Sequence, residues 1–179
     1  IREELEICRN TYAKILGFPP STSAAPNWRC EWRILEIEEE FCFEFLSDTR
    51  GQSVFRPQRN DRELKTLQIP QTLPTTHEIL QCGLATKSDV IDHIVRHYLR
   101  EDKLNVFTIH DWLEGLSDPQ FLEEFLWRTY AMGYETVTLE TIAEEHRRTN
   151  DVFCSDITTG VVQGGIGHVS IQDTQHAHA

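Results

Sequence analysis

The sequence predicts an α/β fold with parallel strands, as in a (β/α) barrel or a doubly wound sheet. Three observations carry this reading. Amphipathic helical stripes alternate with single short apolar strands, an order that requires crossover connections and so parallel pairing. Two of those strands run into titratable residues, Asp48 and His110, at the strand ends where barrels place their chemistry. The 179 residues, 39% of them hydrophobic, suffice for one domain around one core.

From Ile1 to Leu16 the residues Ile1, Leu5, Cys8, Tyr12, Ile15 and Leu16 recur at helical spacing, and Gly17 with Pro19 and Pro20 supplies the stop. Ser21 to Asn27 is small and polar, hence a loop, and leads into a second helix marked by Trp28, Trp32 and Leu35 that ends near Glu40. Phe41 to Leu46 reads as an aromatic-rich strand, closed by the turn formers Ser47-Asp48-Thr49-Arg50-Gly51. Pro57, Pro70 and Pro74 exclude regular helix from Phe55 to Thr76, leaving one short extended piece at Leu67 to Ile69. The stripe Ile91, Ile94, Val95 and Tyr98 predicts a helix from Val90 to Leu99. Leu104 to Ile109 is a compact apolar strand ending at His110. Asp118 and Pro119 form an N-cap and first-turn pair for a helix that buries Phe121, Leu122, Phe125 and Leu126 and stops at Gly133. Glu135 to Leu139 has a strand pattern, and Thr141 to His146 makes a last short helix. Beyond Arg148 the chain is polar and carries Gly160, Gly164, Gly165 and Gly167, which predicts an extended tail with room for one short strand. The expected division is thus a barrel-type domain over 1–146 and a polar tail over 147–179. Ile1 opens the chain inside an amphipathic pattern with no residue before it to cap the helix, so the sequence reads as a piece of a longer protein.

Composition excludes several function classes. Seventeen Lys plus Arg against 29 Asp plus Glu give a formal charge of -12, which argues against nucleic acid held by counterion release. The same charge weakens attraction to anionic headgroups, so any membrane contact is peripheral and local, for example through Arg56, Arg59 and Arg62. Cys8, Cys30, Cys42, Cys82 and Cys154 form no C-x-x-C pair, which indicates neither a disulfide framework nor a zinc knuckle and fits a reducing, cytoplasmic compartment. No apolar run approaches the ~20 residues of a transmembrane helix.

Each candidate residue has a functional and a plain reading. His110 puts a titratable ring at a strand end, followed by Asp111-Trp112 and Glu114-Gly115; it is either a proton-transfer group or a polar residue opening a loop. Asp48 and Arg50 are able to orient a catalytic histidine or hold an anion, or they are ordinary turn chemistry. Trp28 and Arg29 offer an aromatic wall and a fork of donors for a sugar or phosphate, or else a packing residue and a solvated charge. His93 and His97 have the H-x-x-x-H spacing of a helical metal pair, but they point away from the apolar stripe toward solvated surface and are read as no site. His146, His168, His176 and His178 have no partner at ligand spacing.

Several segments taken together resemble a known family: Ala24-Ala25-Pro26-Asn27-Trp28-Arg29, Ser47-Asp48-Thr49-Arg50-Gly51, Phe55-Arg56-Pro57, Gln68-Ile69-Pro70, Thr72-Leu73-Pro74-Thr75 and Thr108-Ile109-His110. In order and spacing they are similar to the polysaccharide deacetylase (NodB-like) superfamily, and within it to the deformylases of 4-deoxy-4-formamido-L-arabinose-phosphoundecaprenol. The likeness runs from Ile1 to about His146, with an echo in Gly160-Val161-Val162-Gln163-Gly164 and Ile171-Gln172. It implies the C-terminal portion of a distorted (β/α) barrel and a hydrolase that removes a formyl group from a lipid-linked amino sugar in lipid A modification, at the cytoplasmic face of the inner membrane. The alternatives are a carbohydrate N-deacetylase of the same superfamily and a sugar- or lipid-head-binding domain without catalysis. The resemblance further implies a divalent metal held by an aspartate and an H-x-x-x-H pair lying upstream of this chain, so that the chain alone binds no stoichiometric zinc, cobalt or manganese. His110 matches the superfamily's late histidine, which protonates the departing amine. Asp48 matches an aspartate that orients this histidine or binds the sugar, and Trp28, Arg29, Arg50 and Glu114 are the expected substrate-binding residues. Two positions depart from the pattern: Pro26-Asn27 stands where small residues precede the tryptophan, and Asp111-Trp112 stands where the deformylases carry Ala-Glu.

Overall fold

The computed structural model describes residues 1–86 and 89–174; His176 and His178 fall outside this range. Helix α1 (Arg2–Leu16) ends at Gly17, whose φ of 85° permits the left-handed cap that returns its N–H to Ala13 O. No residue of α1 is buried. It meets the rest of the fold through the fork of Arg2 on Glu40, at 2.7 and 2.8 Å, and through Arg9 over the Phe41 ring.

The expected parallel sheet is present. Strands β1 (Thr22–Ser23), β2 (Phe45–Leu46) and β5 (Leu67–Gln68) pair in the order β1-β2-β5, with Phe45 opposite Thr22 on one side and Leu67 on the other. A short 3-10 turn (Pro26–Trp28) and α2 (Trp32–Glu40) connect β1 to β2. The expected helix start at Trp28 moves to Trp32 because Asn27 and Trp28 take φ values of 54° and 52°, outside the helical region. The expected strand over Phe41 to Leu46 shrinks to its last two residues because Cys42, at φ 55°, turns the chain out of α2. Between β2 and β5 lies an antiparallel hairpin, β3 (Arg56–Arg59) and β4 (Arg62–Glu63), turned by Asn60 and Asp61 at φ 49° and 61°. Positive φ at both central residues suits a two-residue hairpin turn.

Helix α3 (Thr76–Gln81), which the prolines before it conceal, carries a complete capping box: Thr75 Oγ1 accepts from Glu78 N, and Thr75 N donates to Glu78 Oε2. Helices α4 (Val90–His97), α5 (Pro119–Ala131) and α6 (Leu139–Thr149) stand close to where periodicity puts them. Leu104 to Ile109, expected as a strand, runs without a ladder. Its attachment is at Val106, whose oxygen accepts from Thr72 N and Leu73 N while its N–H donates to Thr72 Oγ1. Glu135 to Thr138 likewise is not a strand, and Leu139 already belongs to α6.

The expected tail is largely built into the fold. Strand β6 (Cys154–Ser155) pairs parallel with β3, and β7 (Ile157–Gly160) and β8 (Val169–Gln172) form an antiparallel hairpin. Strand β8 also docks on the loop after β2: Arg50 N donates to Ser170 O and Gln172 N donates to Arg50 O, both at 2.8 Å. Gly51 is required beside it, since a Cβ there would stand 2.6 Å from Gln172 Oε1 and 2.9 Å from Pro70 Cβ. Three apolar clusters hold these pieces. Phe45, Leu67, Ile69, Val106 and Ala143 pack beneath the sheet; Leu35, Phe43, Leu46 and Leu64 join α2 to it; Ile79, Val90, Ile94, Phe121 and Phe125 unite α3, α4 and α5. Among the described residues, no helix is long and apolar enough to cross a membrane.

Candidate functional site

The segments that follow β2 and β5 and the run that leads into His110 are tied into one region by Gln71, and Asp48 adds the segment that follows β1 through Ala25 N. The Gln71 N–H donates to Thr49 O at 3.0 Å, its amide donates to Leu73 O at 2.8 Å, and its Oε1 meets Thr108 Oγ1. Trp28, Asp48, Arg50 and His110 are carried on these segments.

Asp48 is fully buried. Its Oδ1 accepts from Ala25 N and its Oδ2 from Gln68 Nε2, both at 2.7 Å, while its own N–H donates to Gln68 Oε1 at 3.0 Å. One side chain thereby fixes the ends of all three parallel strands. Glu38 of α2 faces it, 3% exposed, with Oε1 accepting from Ser23 Oγ at 3.0 Å. Burial and the neighbouring Asp48 charge push the Glu38 carboxyl up to about 8. Burial raises Asp48 to about 6, against the pull of its hydrogen bonds to Gln68 and Ala25. Burial likewise raises the Cys30 thiol, which lies beside them.

Arg50 is buried and paired. Its Nη1 lies 3.2 and 3.3 Å from the two oxygens of Glu78, its Nη2 donates to Leu73 O at 3.2 Å, and its guanidinium carbon sits 4.8 Å from the Trp28 ring centroid. Burial lowers the Arg50 pKa while Glu78 opposes the shift. A left-handed backbone at a bulky residue such as Trp28 costs on the order of 1–3 kcal/mol, and such strain concentrates at functional sites. Stacking on Arg50 holds the indole in place.

His110 is positioned by Glu114. The π-helical turn Asp111–Ser117 brings the 1% exposed Glu114 back beneath the histidine, where Oε2 accepts from His110 N at 2.7 Å and lies 3.8 Å from Nδ1. Nδ1 and Glu114 Oε1 are buried without hydrogen-bond partners. A movement of about 0.8 Å would bring Nδ1 to hydrogen-bond length from that carboxylate. The Trp112 ring stands 5.6 Å away.

Trp28 and Arg50 are therefore in direct contact, as are His110 and Glu114. Asp48 and His110 are not hydrogen-bonded to each other, their partners being Ala25 and Gln68 on one side and Glu114 on the other. Glu114 and Arg50, expected to bind substrate, are buried, with Glu114 hydrogen-bonded to His110 N and Arg50 paired with Glu78. Exposed Arg29 donates to Ile166 O at 3.0 Å. Sequence reasoning missed Glu38, Gln68, Gln71 and Glu78. Only Glu78 had a local signal, the T-x-x-E of its capping box. His93 and His97 have ring centroids 4.7 Å apart, with His97 exposed, and no third ligand joins them among the described residues. The aspartate-and-two-histidine metal set that the resemblance implies does not fit the described residues, among which the one group of three potential ligands is Cys30, Glu38 and Asp48. A groove of about 580 Å³ beside the site is lined mainly by apolar residues such as Leu99, Phe107, Phe125 and Ile142, and touches none of the candidates.

The chain is 33% identical over 139 residues to a Shewanella sediminis protein assigned as 4-deoxy-4-formamido-L-arabinose-phosphoundecaprenol deformylase ArnD, a match covering 78% of the chain and 44% of that protein. A Wigglesworthia glossinidia brevipalpis protein with the same assignment is 31% identical over 127 residues, 70% of the chain and 44% of that protein. The chain is a relative of the ArnD deformylases. It spans less than half the length of either relative. The crystal structure of a protein assigned as a polysaccharide deacetylase from Mycobacterium smegmatis superposes with a TM-score of 0.61 at 16% identity, over 90% of this chain and 60% of the other, which shows the shared α/β fold. No protein-family model matches the chain.

Proposed function

We propose that this relative of ArnD contributes the acid side of a hydrolase for carbon–nitrogen bonds, removing a formyl group from a lipid-linked amino sugar. The observation that carries the reading is the His110–Glu114 unit: a partly exposed imidazole, its side chain 31% accessible, backed by a fully buried carboxylate aimed at Nδ1. Amide cleavage stalls unless the departing amine is protonated, and an imidazolium whose far nitrogen faces a carboxylate is suited to that transfer at neutral pH. His110 is the proton donor through Nε2, and Glu114 is its positioning residue. Trp28 supplies an apolar face for a sugar ring, with Arg50 behind it, and Arg29 is the accessible cation for a phosphate. Asp48 holds the strand-end segments on which Trp28 and Arg50 ride. The formyl substrate follows from the names of the relatives, the setting in lipid A modification and peripheral contact at the inner membrane face follow from the family resemblance, and all are part of the proposal. The divalent metal of such enzymes has no fitting aspartate-and-histidine set in these residues, so no step is assigned to it. In the complete protein, His110→Ala should reduce deformylation of the lipid-linked sugar by at least about 10²-fold with metal content unchanged. Undiminished turnover in that variant would overturn the assignment.

A further inference from the structure

Cys30, Glu38 and Asp48 converge from three elements, the segment after the 3-10 turn, helix α2 and the loop after β2. One Sγ and two carboxylate oxygens lie within 4.8 Å of one another, and all three residues are buried, at 6%, 3% and 0% exposure. Glu38 Oε2 is buried without a hydrogen-bond partner. Asp48 receives one N–H on each oxygen, which leaves a lone pair on each. Glu31 adds further negative charge nearby, and Arg50, two residues from Asp48, is committed to Glu78. Two buried carboxylates are costly while both are ionised, so the cluster takes up either a cation or a proton held between Glu38 and Asp48.

We propose that Cys30 Sγ, Glu38 and Asp48 form a binding site for one zinc-class divalent cation, distinct in its donors from the metal the family resemblance implies. A thiolate with two carboxylates is a donor set for a borderline-soft tetrahedral ion, with the fourth position left to water. A proton shared by the two carboxyls would neutralise one charge and leave the thiol to its long contact with Glu31 O at 3.8 Å; a cation uses all three groups. The sequence expectation of a metal-free chain missed the cluster because its members, eight and ten residues apart, match no short ligand motif. The inference is independent of the deformylase reading.

The test is titration of the reduced, chelator-treated chain with Zn²⁺ by calorimetry, and with Co²⁺ by absorption. Expected are one equivalent bound, a thiolate-to-cobalt charge-transfer band in the near ultraviolet, and a loss of affinity of more than about tenfold in Cys30→Ser and in Glu38→Gln. Binding should survive in the His93→Ala/His97→Ala double variant. Should either ligand variant fail to fold, the cobalt spectrum of the unmodified chain decides alone. Absence of stoichiometric binding, a cobalt complex lacking the thiolate band, or binding abolished only by loss of the histidine pair would each overturn the proposal. The first of these outcomes would leave the shared proton as the neutralising partner.

Discussion

The Arg50–Glu78 pair offers the sharpest energetic test of how the site is held. Both side chains are nearly inaccessible, 9% and 6%, and Glu78 also closes the capping box of α3. Glu78→Ala would leave the guanidinium with Leu73 O at 3.2 Å and the face of Trp28 at 4.8 Å as its remaining partners. Removing one partner of a buried pair costs about 3–5 kcal/mol, and loss of the cap adds about 1 kcal/mol. The expected total of about 4–6 kcal/mol is a large part of the stability of a domain this size. Glu78→Gln keeps the reach to Thr75 N and isolates the charge. Arg50→Met combined with Glu78→Gln removes both charges and should recover much of the loss, giving a coupling energy of at least about 2 kcal/mol. Urea unfolding followed by tryptophan fluorescence measures all four corners of the cycle. A Glu78→Gln cost below about 1 kcal/mol, or additive single variants, would refute the claim that the pair is buried and mutually dependent.

Two further outcomes follow from the same region. In chelator, stability should fall as pH rises: Asp48 and Glu38 stand at about 6 and about 8 in the folded chain against ordinary values of 3.8 and 4.5. A carboxyl raised by folding stabilises fully below its unfolded pKa and ceases to do so as pH climbs through its folded one. Urea midpoints at intervals from pH 5 to 9 should therefore decline most steeply between pH 5 and 6, where both carboxyls contribute, more gently up to about pH 8 through Glu38 alone, and level off above it, and Glu38→Gln should remove the part above pH 6; equal slopes in both proteins would contradict the burial of this pair. Gly51→Ala should destabilise by about 1–3 kcal/mol through overpacking against Gln172 and Pro70, and hydrogen exchange should show faster opening of β8; unchanged protection there would mean that β8 is not held through this loop.

What could be read from the sequence divides by the range of the interaction. Helices α4, α5 and α6 were legible because each sets its own apolar period, and Gly17 marked the end of α1 by its left-handed φ. The two-residue parallel strands were legible only as the order of elements, since a pairing such as Phe45 with Thr22 and Leu67 leaves no local trace. Strand β3, Arg-Pro-Gln-Arg, has neither alternation nor β-branched residues and is a strand because β4 and β6 flank it. The tail misled for a similar reason. Its glycines suggest freedom, yet Gly164 lies so close to α3 that a Cβ there would stand 2.1 Å from Glu78 O. At the site, His110 was visible from its position, whereas Glu38, Gln68 and Gln71 act across 10 to 37 residues of sequence and were not.

This division also sorts the site by what each residue can do. Asp48, Arg50, Glu78 and Glu114 are buried, so none of them can meet a sugar directly without the surrounding structure opening. Trp28, Arg29 and His110 retain accessible surface. Each accessible group except Arg29 rests on a buried ionic one: Trp28 on Arg50 and hence Glu78, and His110 on Glu114. Such an arrangement spends buried charge on holding a strained indole and, on the proposed function, a proton donor in fixed places, which is the form that preorganisation takes when reacting groups must not reorient during the reaction. Arg29, exposed and hydrogen-bonded through Nη2 to Ile166 O ahead of β8, is on the proposed function the group that meets an anionic headgroup. Variants of the buried layer should therefore act on stability and turnover together, and those of Arg29 on substrate affinity.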